Sequence, residues 1–123
     1  MINPSLFAKS LKHALRGVWV VFSSEQSFRI QVFVGVCVLL LAYGFQVRFF
    51  EWIVLLLLIG SVLCLEIINS IFERIVDTFK QIIHPIVRDI KDIMAAVVFL
   101  ASLFALFIGL VIFWPHVSVL VLG

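Results

Sequence analysis

The stretch EIINSIFERIVDTFKQIIHP, residues 66–85, decides how the rest of the chain is read. It continues without a break from the apolar run Trp52 to Leu65, yet within one helical turn it sets acids and amides where lipid is expected. At about 100° per residue, with Glu66 at zero, Asn69 falls at about −60°, Ser70 at about +40°, Glu73 at about −20°, Asp77 at about +20° and Lys80 at about −40°. One helix face therefore carries every acid of the stretch. Most of the remaining circumference is Ile67, Ile68, Ile71, Phe72, Ile75 and Val76, with Arg74 the one charge off the stripe. By helical rise Glu66 lies about 21 Å from Trp52 and Glu73 about 31 Å, against a hydrocarbon core about 30 Å thick. The stripe begins inside one leaflet and emerges at the headgroups. A carboxylate in the membrane interior costs about 2.5 to 3.5 kcal/mol even on the lenient insertion scale, so several on one face must look into protein or a wet cleft.

Composition places this helix in an integral membrane protein. The chain has 123 residues, 64% hydrophobic and 13% charged, with a mean hydropathy of +1.28, against about 25% charged residues in soluble domains. The apolar runs are continuous rather than alternating, which excludes a transmembrane barrel. The expected fold is all-α, one domain over residues 1–123. Residues 5–24 read as an amphipathic helix lying in the membrane surface, because Lys9, Lys12, His13 and Arg16 share one side while Leu11, Leu15, Val18, Trp19 and Phe22 fill the other. Spans are expected at 28–47, at 50–79 (running out past the membrane) and at 86–114, where Pro115 ends or kinks the third. His84-Pro85 marks the loop before it. Three tryptophans, Trp19, Trp52 and Trp114, fall near the interfaces. The N-terminus lacks the pattern of a cleavable signal. Cys37 and Cys64 sit in apolar runs as small hydrophobes. Lys9, Lys12, Arg16, Arg29, Arg74, Lys80, Arg88 and Lys91 fall on one side of the membrane against Arg48 alone, which makes the N-terminus cytoplasmic. No nucleic-acid partner is expected.

The third span offers a counterpart to the stripe: Arg88, Lys91 and Asp92 share a sector continued by Ala95 and Ser102, and the Ala95-Ala96 pair suits close helix approach. Three readings of the residues stand at this point. A collar of salt bridges, Lys91 or Arg88 with Glu73 or Asp77, would stabilise an assembly subunit and do no chemistry. Glu66 alone at depth would suit a proton-coupled transporter. Alternatively Glu66 is a general base, and Glu73 and Asp77, with Glu25, supply oxygens for a hard divalent cation.

The pattern ExxNSxxExxVD at 66–77, then His84, then KDxxAAVV at 91–98, resembles the prokaryotic diacylglycerol kinase family, which includes undecaprenol kinases. The resemblance runs over nearly the whole chain, taking in SLKHALRG at 10–17 and ExxFR at Glu25, Phe28 and Arg29. It implies a homotrimer of three-span subunits in the inner (cytoplasmic) membrane of a bacterium. The implied reaction transfers the γ-phosphoryl group of ATP to the hydroxyl of a lipid alcohol at the cytoplasmic interface, giving undecaprenyl phosphate or phosphatidic acid. Carried over, Glu66 matches the catalytic base and Asn69 a residue supporting it, while Glu25 and Glu73 match the ligands of Mg²⁺ bridging the ATP phosphates. Lys91, Asp92, His84 and His13 match nucleotide-contacting positions; with Glu25, Glu73 and Asp77 they make up the expected ATP-binding set. Arg29 and Gln31, with Glu66 and Ser70, make up the expected lipid-substrate set. The chain carries neither a GxxxxGK[ST] loop nor a kinase-type glycine-rich loop, so phosphates would be held by metal and Lys91. Gln31 stands where the diacylglycerol-directed branch often has an acid, and FRIQ, His84-Pro85 and IFWPH resemble the undecaprenol-directed branch. His13 stands where the family tends to carry Tyr.

Overall fold

In the computed structural model, which describes residues 1–79 and 84–123, the chain forms four helices in sequence and no strand among those residues. Helix α1, Pro4–Ser24, starts where Asn3 caps it: the Asn3 side-chain oxygen accepts the Ser5 N–H at 3.0 Å, and Pro4 fits the first turn because its missing N–H would be unpaired there anyway. Its basic residues and Leu6, Phe7, Leu11, Leu15 and Trp19 are all exposed, and only Val21, near its end, is buried. The helix therefore touches the rest of the protein at its C-terminal turn and leaves its amphipathic length free.

A single residue, Glu25, separates α1 from α2, Gln26–Phe45. Its backbone is extended, φ −109° and ψ 112°, and its side chain does not cap α2. Ser23 and Ser24 belong to α1, as the expected helix over 5–24 has it, and the break falls at Glu25. Helix α2 stops where Gln46 turns left-handed, φ 51°, and Val47 N–H returns to the Ala42 carbonyl at 3.2 Å, satisfying an end carbonyl. This closes the span two residues short of the expected 47. Helix α3, Phe49–Phe79, begins with Glu51 accepting the Arg48 N–H at 3.0 Å, half of a capping box.

Helix α4, His84–Leu122, departs from expectation at both ends. His84 and Pro85 belong to its first turn, where proline is well tolerated, rather than to the preceding loop. At the other end it passes through Pro115 instead of stopping at Trp114. Proline leaves one carbonyl of the preceding turn without its partner, and in an apolar helix local adjustment absorbs that loss. Ser118 Oγ donates to the Pro115 carbonyl at 3.0 Å just beyond it. Lys80 and the side chain of His84 lie outside the described residues.

Helices α2, α3 and α4 are each long and apolar enough to cross a membrane, which makes this a multi-pass membrane protein. Helix α3 lies between the others, packed most extensively on α4 and next on α2. At one end a small core of Ala42, Val47 and Leu55 is covered by Val38, Phe45, Trp52, Ile112 and Phe113. Helix α2 passes close to α3 at Gly35, which is buried and where a Cβ would stand 3.0 Å from Ile59 Cγ2. Ala95 and Ala96, expected to mark close packing, are exposed instead. Phenylalanines such as Phe33, Phe99, Phe104 and Phe107 face outward, as a lipid-exposed surface requires.

Candidate functional site

The polar interior of the bundle lies on one helix. Glu66, Asn69 and Ser70 on α3 are 5%, 8% and 1% exposed, and they are the buried polar residues among those described. Their placement follows from the stripe: at these offsets all three point to the same side of α3, and that side meets α2 and the α1–α2 joint.

Each buried group finds a partner, and that of the Glu66 carboxylate is a neutral amide. Gln31 Nε2 on α2 donates to Glu66 Oε2 at 3.0 Å. Asn69 Nδ2 donates to Glu73 Oε1, one turn on, at 3.2 Å. Ser70 Oγ donates to Glu25 Oε1 at 3.1 Å, joining α3 to the extended residue between α1 and α2. The partner of Glu66 is thus Gln31, while Asn69, expected to support Glu66, holds Glu73. Buried polar groups are ordinarily paired. Gln31 Oε1 and Asn69 Oδ1, both buried, have no partner among the described residues, so each amide keeps an unused acceptor.

Three carboxylates gather here. Glu25 and Glu73 stand close enough to Glu66 for their charges to act on it. Among the described residues the ion pairs are Lys91 with Asp77, 2.5 Å apart, and His116 with Glu51, 3.5 Å apart, so neither pair neutralises the three acids. The Lys91–Asp77 pair is open to solvent, at 39% and 55% side-chain exposure, and ties α4 to the last turns of α3. Of the other expected site residues, Arg29 gives its Nη1 to the carbonyls of Phe22 and Ser23, at 2.8 and 3.0 Å, closing the end of α1. His13 and Asp92 are exposed.

Two residues outside the expected site set, Arg74 and Ser24, complete the site. Arg74 Nε donates to Ser70 Oγ at 3.4 Å and its Nη2 donates to Ser24 Oγ at 2.9 Å. A helix offset of four was the available signal, since residues i and i+4 are neighbours on a helix surface.

Among the described residues no three His, Cys, Asp or Glu side chains are arranged to hold a metal ion by themselves. Mg²⁺, however, is commonly held by one or two carboxylates together with substrate phosphate oxygens and water. Glu25 and Glu73, each with one oxygen fixed by a neutral donor and neither paired to a cation among the described residues, fit that donor set.

Beside the acids lies an apolar cavity of about 410 Å³ along α2, α3 and α4. Gln31 lines its polar end, Val34, Ile59 and Ala105 line its length, and Ser102 is a further polar residue in its wall. The same glutamine therefore touches both the carboxylate and a space able to hold a hydrocarbon chain.

Residues 12–113 match the family described as prokaryotic diacylglycerol kinase. The chain is 33% identical to the undecaprenol kinase of Bacillus subtilis over 109 residues, 89% of each protein. It is also 33% identical over 109 residues to a diacylglycerol kinase of a Synechocystis strain, covering 88% of this chain and 62% of that one. A diacylglycerol kinase of Helicobacter pylori is 28% identical over 100 residues, 81% of this chain and 78% of that protein. No solved structure matches.

Proposed function

The chain belongs to the prokaryotic diacylglycerol kinase family, and from that premise of a lipid kinase we propose that it moves the γ-phosphoryl group of ATP onto the hydroxyl of a membrane lipid alcohol. The observation that carries the reading is the gathering of Glu25, Glu66 and Glu73 with no paired cation among the described residues, joined through the Gln31–Glu66 bond to an apolar cavity. A collar subunit would pair such acids. A proton-coupled transporter would have no use for Glu25 and Glu73 set beside Glu66 with neutral donors.

In this reading the lipid chain lies in the cavity and its hydroxyl reaches Glu66 past Gln31, whose free Oε1 is placed to accept a hydrogen bond from it. Glu66 takes the hydroxyl proton as the oxygen attacks the γ-phosphorus, the bond to the β-phosphate oxygen breaks, and ADP departs. Phosphoryl transfer asks the protein mainly for position and charge neutralisation. Glu25 and Glu73 would hold Mg²⁺, which when bound supplies neutralisation of the phosphate oxygens. Asn69 holds Glu73 in place, and Lys91, tethered to Asp77, stands at the solvent edge where a nucleotide phosphate could pair with it. Asp92, His13 and His84 complete the proposed nucleotide contacts, and Arg29 the lipid contacts.

Undecaprenol is the proposed substrate ahead of diacylglycerol. Gln31 in place of an acid supports this, as does the match to an undecaprenol kinase over 89% of both chains. The proposed setting is the bacterial inner membrane with the N-terminus and the acids on the cytoplasmic side, supported by the basic residues flanking them. The exposed Ala95–Ala96 surface supports assembly as a homotrimer. The test is transfer of label from γ-labelled ATP to undecaprenol and to diacylglycerol, side by side, in Mg²⁺-containing detergent micelles. Labelled undecaprenyl phosphate is the expected product; no turnover of either lipid would refute the reading.

A further inference from the structure

Arg74 lies off the acidic stripe, and its guanidinium carries no carboxylate partner among the described residues. It instead spans two hydroxyls on two helices: Nε to Ser70 Oγ on α3 at 3.4 Å, and Nη2 to Ser24 Oγ at the end of α1 at 2.9 Å. Only a planar fork of several N–H groups reaches two acceptors this way from one side chain; a lysine ammonium would not present the same pair.

Both serines have a single proton, and both have spent it. Ser24 Oγ donates to the Val20 carbonyl at 2.6 Å, and Ser70 Oγ donates to Glu25 Oε1 at 3.1 Å. A hydroxyl that donates its only hydrogen keeps lone pairs to accept with, and these receive Arg74. For Ser70, 1% exposed inside a helix, the competing choice is to turn its hydrogen back onto the carbonyl four residues earlier. A donor held against its lone pair disfavours that rotation and leaves the hydrogen aimed at Glu25. Glu25 needs such help, because it is the one non-helical residue between α1 and α2 and its side chain caps neither. Arg29 grips the Phe22 and Ser23 carbonyls from the α2 side, and Arg74 grips Ser24 from the α3 side, so the joint is held on both flanks.

We infer that Arg74 is a positioning residue: through Ser70 and Ser24 it holds the Glu25 carboxylate in the geometry that binds the metal–nucleotide, an inference that rests on the kinase reading of Glu25. It touches neither nucleotide nor lipid and acts through another side chain.

The experiment measures Mn²⁺ binding by electron paramagnetic resonance on the full chain in detergent, in the presence of a non-hydrolysable ATP analogue, alongside steady-state kinetics. R74A and S70A are each expected to weaken Mn²⁺–nucleotide binding by about tenfold, the scale of losing a hydrogen bond to a charged group. Each should raise KM for Mg-ATP more than it lowers kcat, and R74A should leave KM for the lipid alcohol in place. Because both act along one path, R74A/S70A should bind no more weakly than either single variant, and R74K should recover only part of the loss. S70A removes one buried hydroxyl and little volume, so it carries the binding test where R74A does not fold. Parent-like binding by a folded R74A or by S70A, or losses that multiply in the double variant, would overturn the inference while leaving the kinase reading intact. A parent chain that binds no Mn²⁺–nucleotide and turns over no lipid would overturn both.

Discussion

Glu66 on α3 receives the amide of Gln31 on α2 at 3.0 Å, so its buried carboxylate is held by a neutral donor rather than a cation. A cation at that distance would neutralise the charge, whereas an amide orients the carboxylate without neutralising it. The pairing also brings the carboxylate to the polar end of the apolar cavity that Gln31 lines.

Glu66→Gln should lower kcat by about 10²- to 10⁴-fold, the usual contribution of a general base, while Mn²⁺–nucleotide binding persists. Gln31→Leu leaves the buried carboxylate without its donor and should cost about tenfold in kcat/KM for the lipid. Label transfer and binding measured on the same preparations check both. Persisting turnover in the Glu66 variant would remove it from the reaction.

Glu73→Gln should weaken metal–nucleotide binding, and Asn69→Ala should do so by about tenfold because it frees the Glu73 carboxylate that Asn69 bonds at 3.2 Å. Both variants should act on KM for Mg-ATP. An Asn69 variant that changed only the lipid KM would place the amide with Glu66 instead.

Lys91→Gln should change stability little, since the Lys91–Asp77 pair is solvent-exposed. Its proposed effect is on nucleotide affinity, with KM for Mg-ATP rising and the rise shrinking as salt is added. Thermal unfolding in detergent and kinetics at two ionic strengths separate the two effects; a large loss of stability without a change in KM would make the pair a structural tie.

Ala105→Trp places a large side chain in the cavity wall of α4, away from the acids. It should raise KM for the lipid alcohol by about tenfold, within the about 1–3 kcal/mol that overfilling a packed space costs, with KM for Mg-ATP unchanged. Equal lipid KM values in the variant and the parent would move the lipid chain elsewhere.

The stripe on α3 was legible because it depends only on a periodicity of 3.6 within one helix, and the three apolar spans because lipid demands them. The partners of Glu66 and Glu73 were not. Gln31 and Glu66 are 35 positions apart, and which of two stripe residues Asn69 serves depends on side-chain rotamers that angular position does not set. Arg74 looked unconnected on a wheel, yet side chains on a helix lean toward its N-terminus, which carries its guanidinium back to Ser70. The sequence left open whether Pro115 ends or bends α4, and the helix runs on past it to Leu122.

Gly35 sits one turn from Gln31, and Ile59 two turns from Glu66, on the same pair of helices. A methyl group added at Gly35 would meet Ile59 Cγ2 at 3.0 Å, so the Ile59 side chain or the spacing of α2 and α3 must give by a few tenths of an ångström. The reach of the hydrogen bond at Glu66 is thus gauged by an atom that is not there: the missing methyl acts as a shim of zero thickness between two rods. Alanine at this position, innocuous by chemical type, would press on Ile59 and through it on the spacing that sets the site.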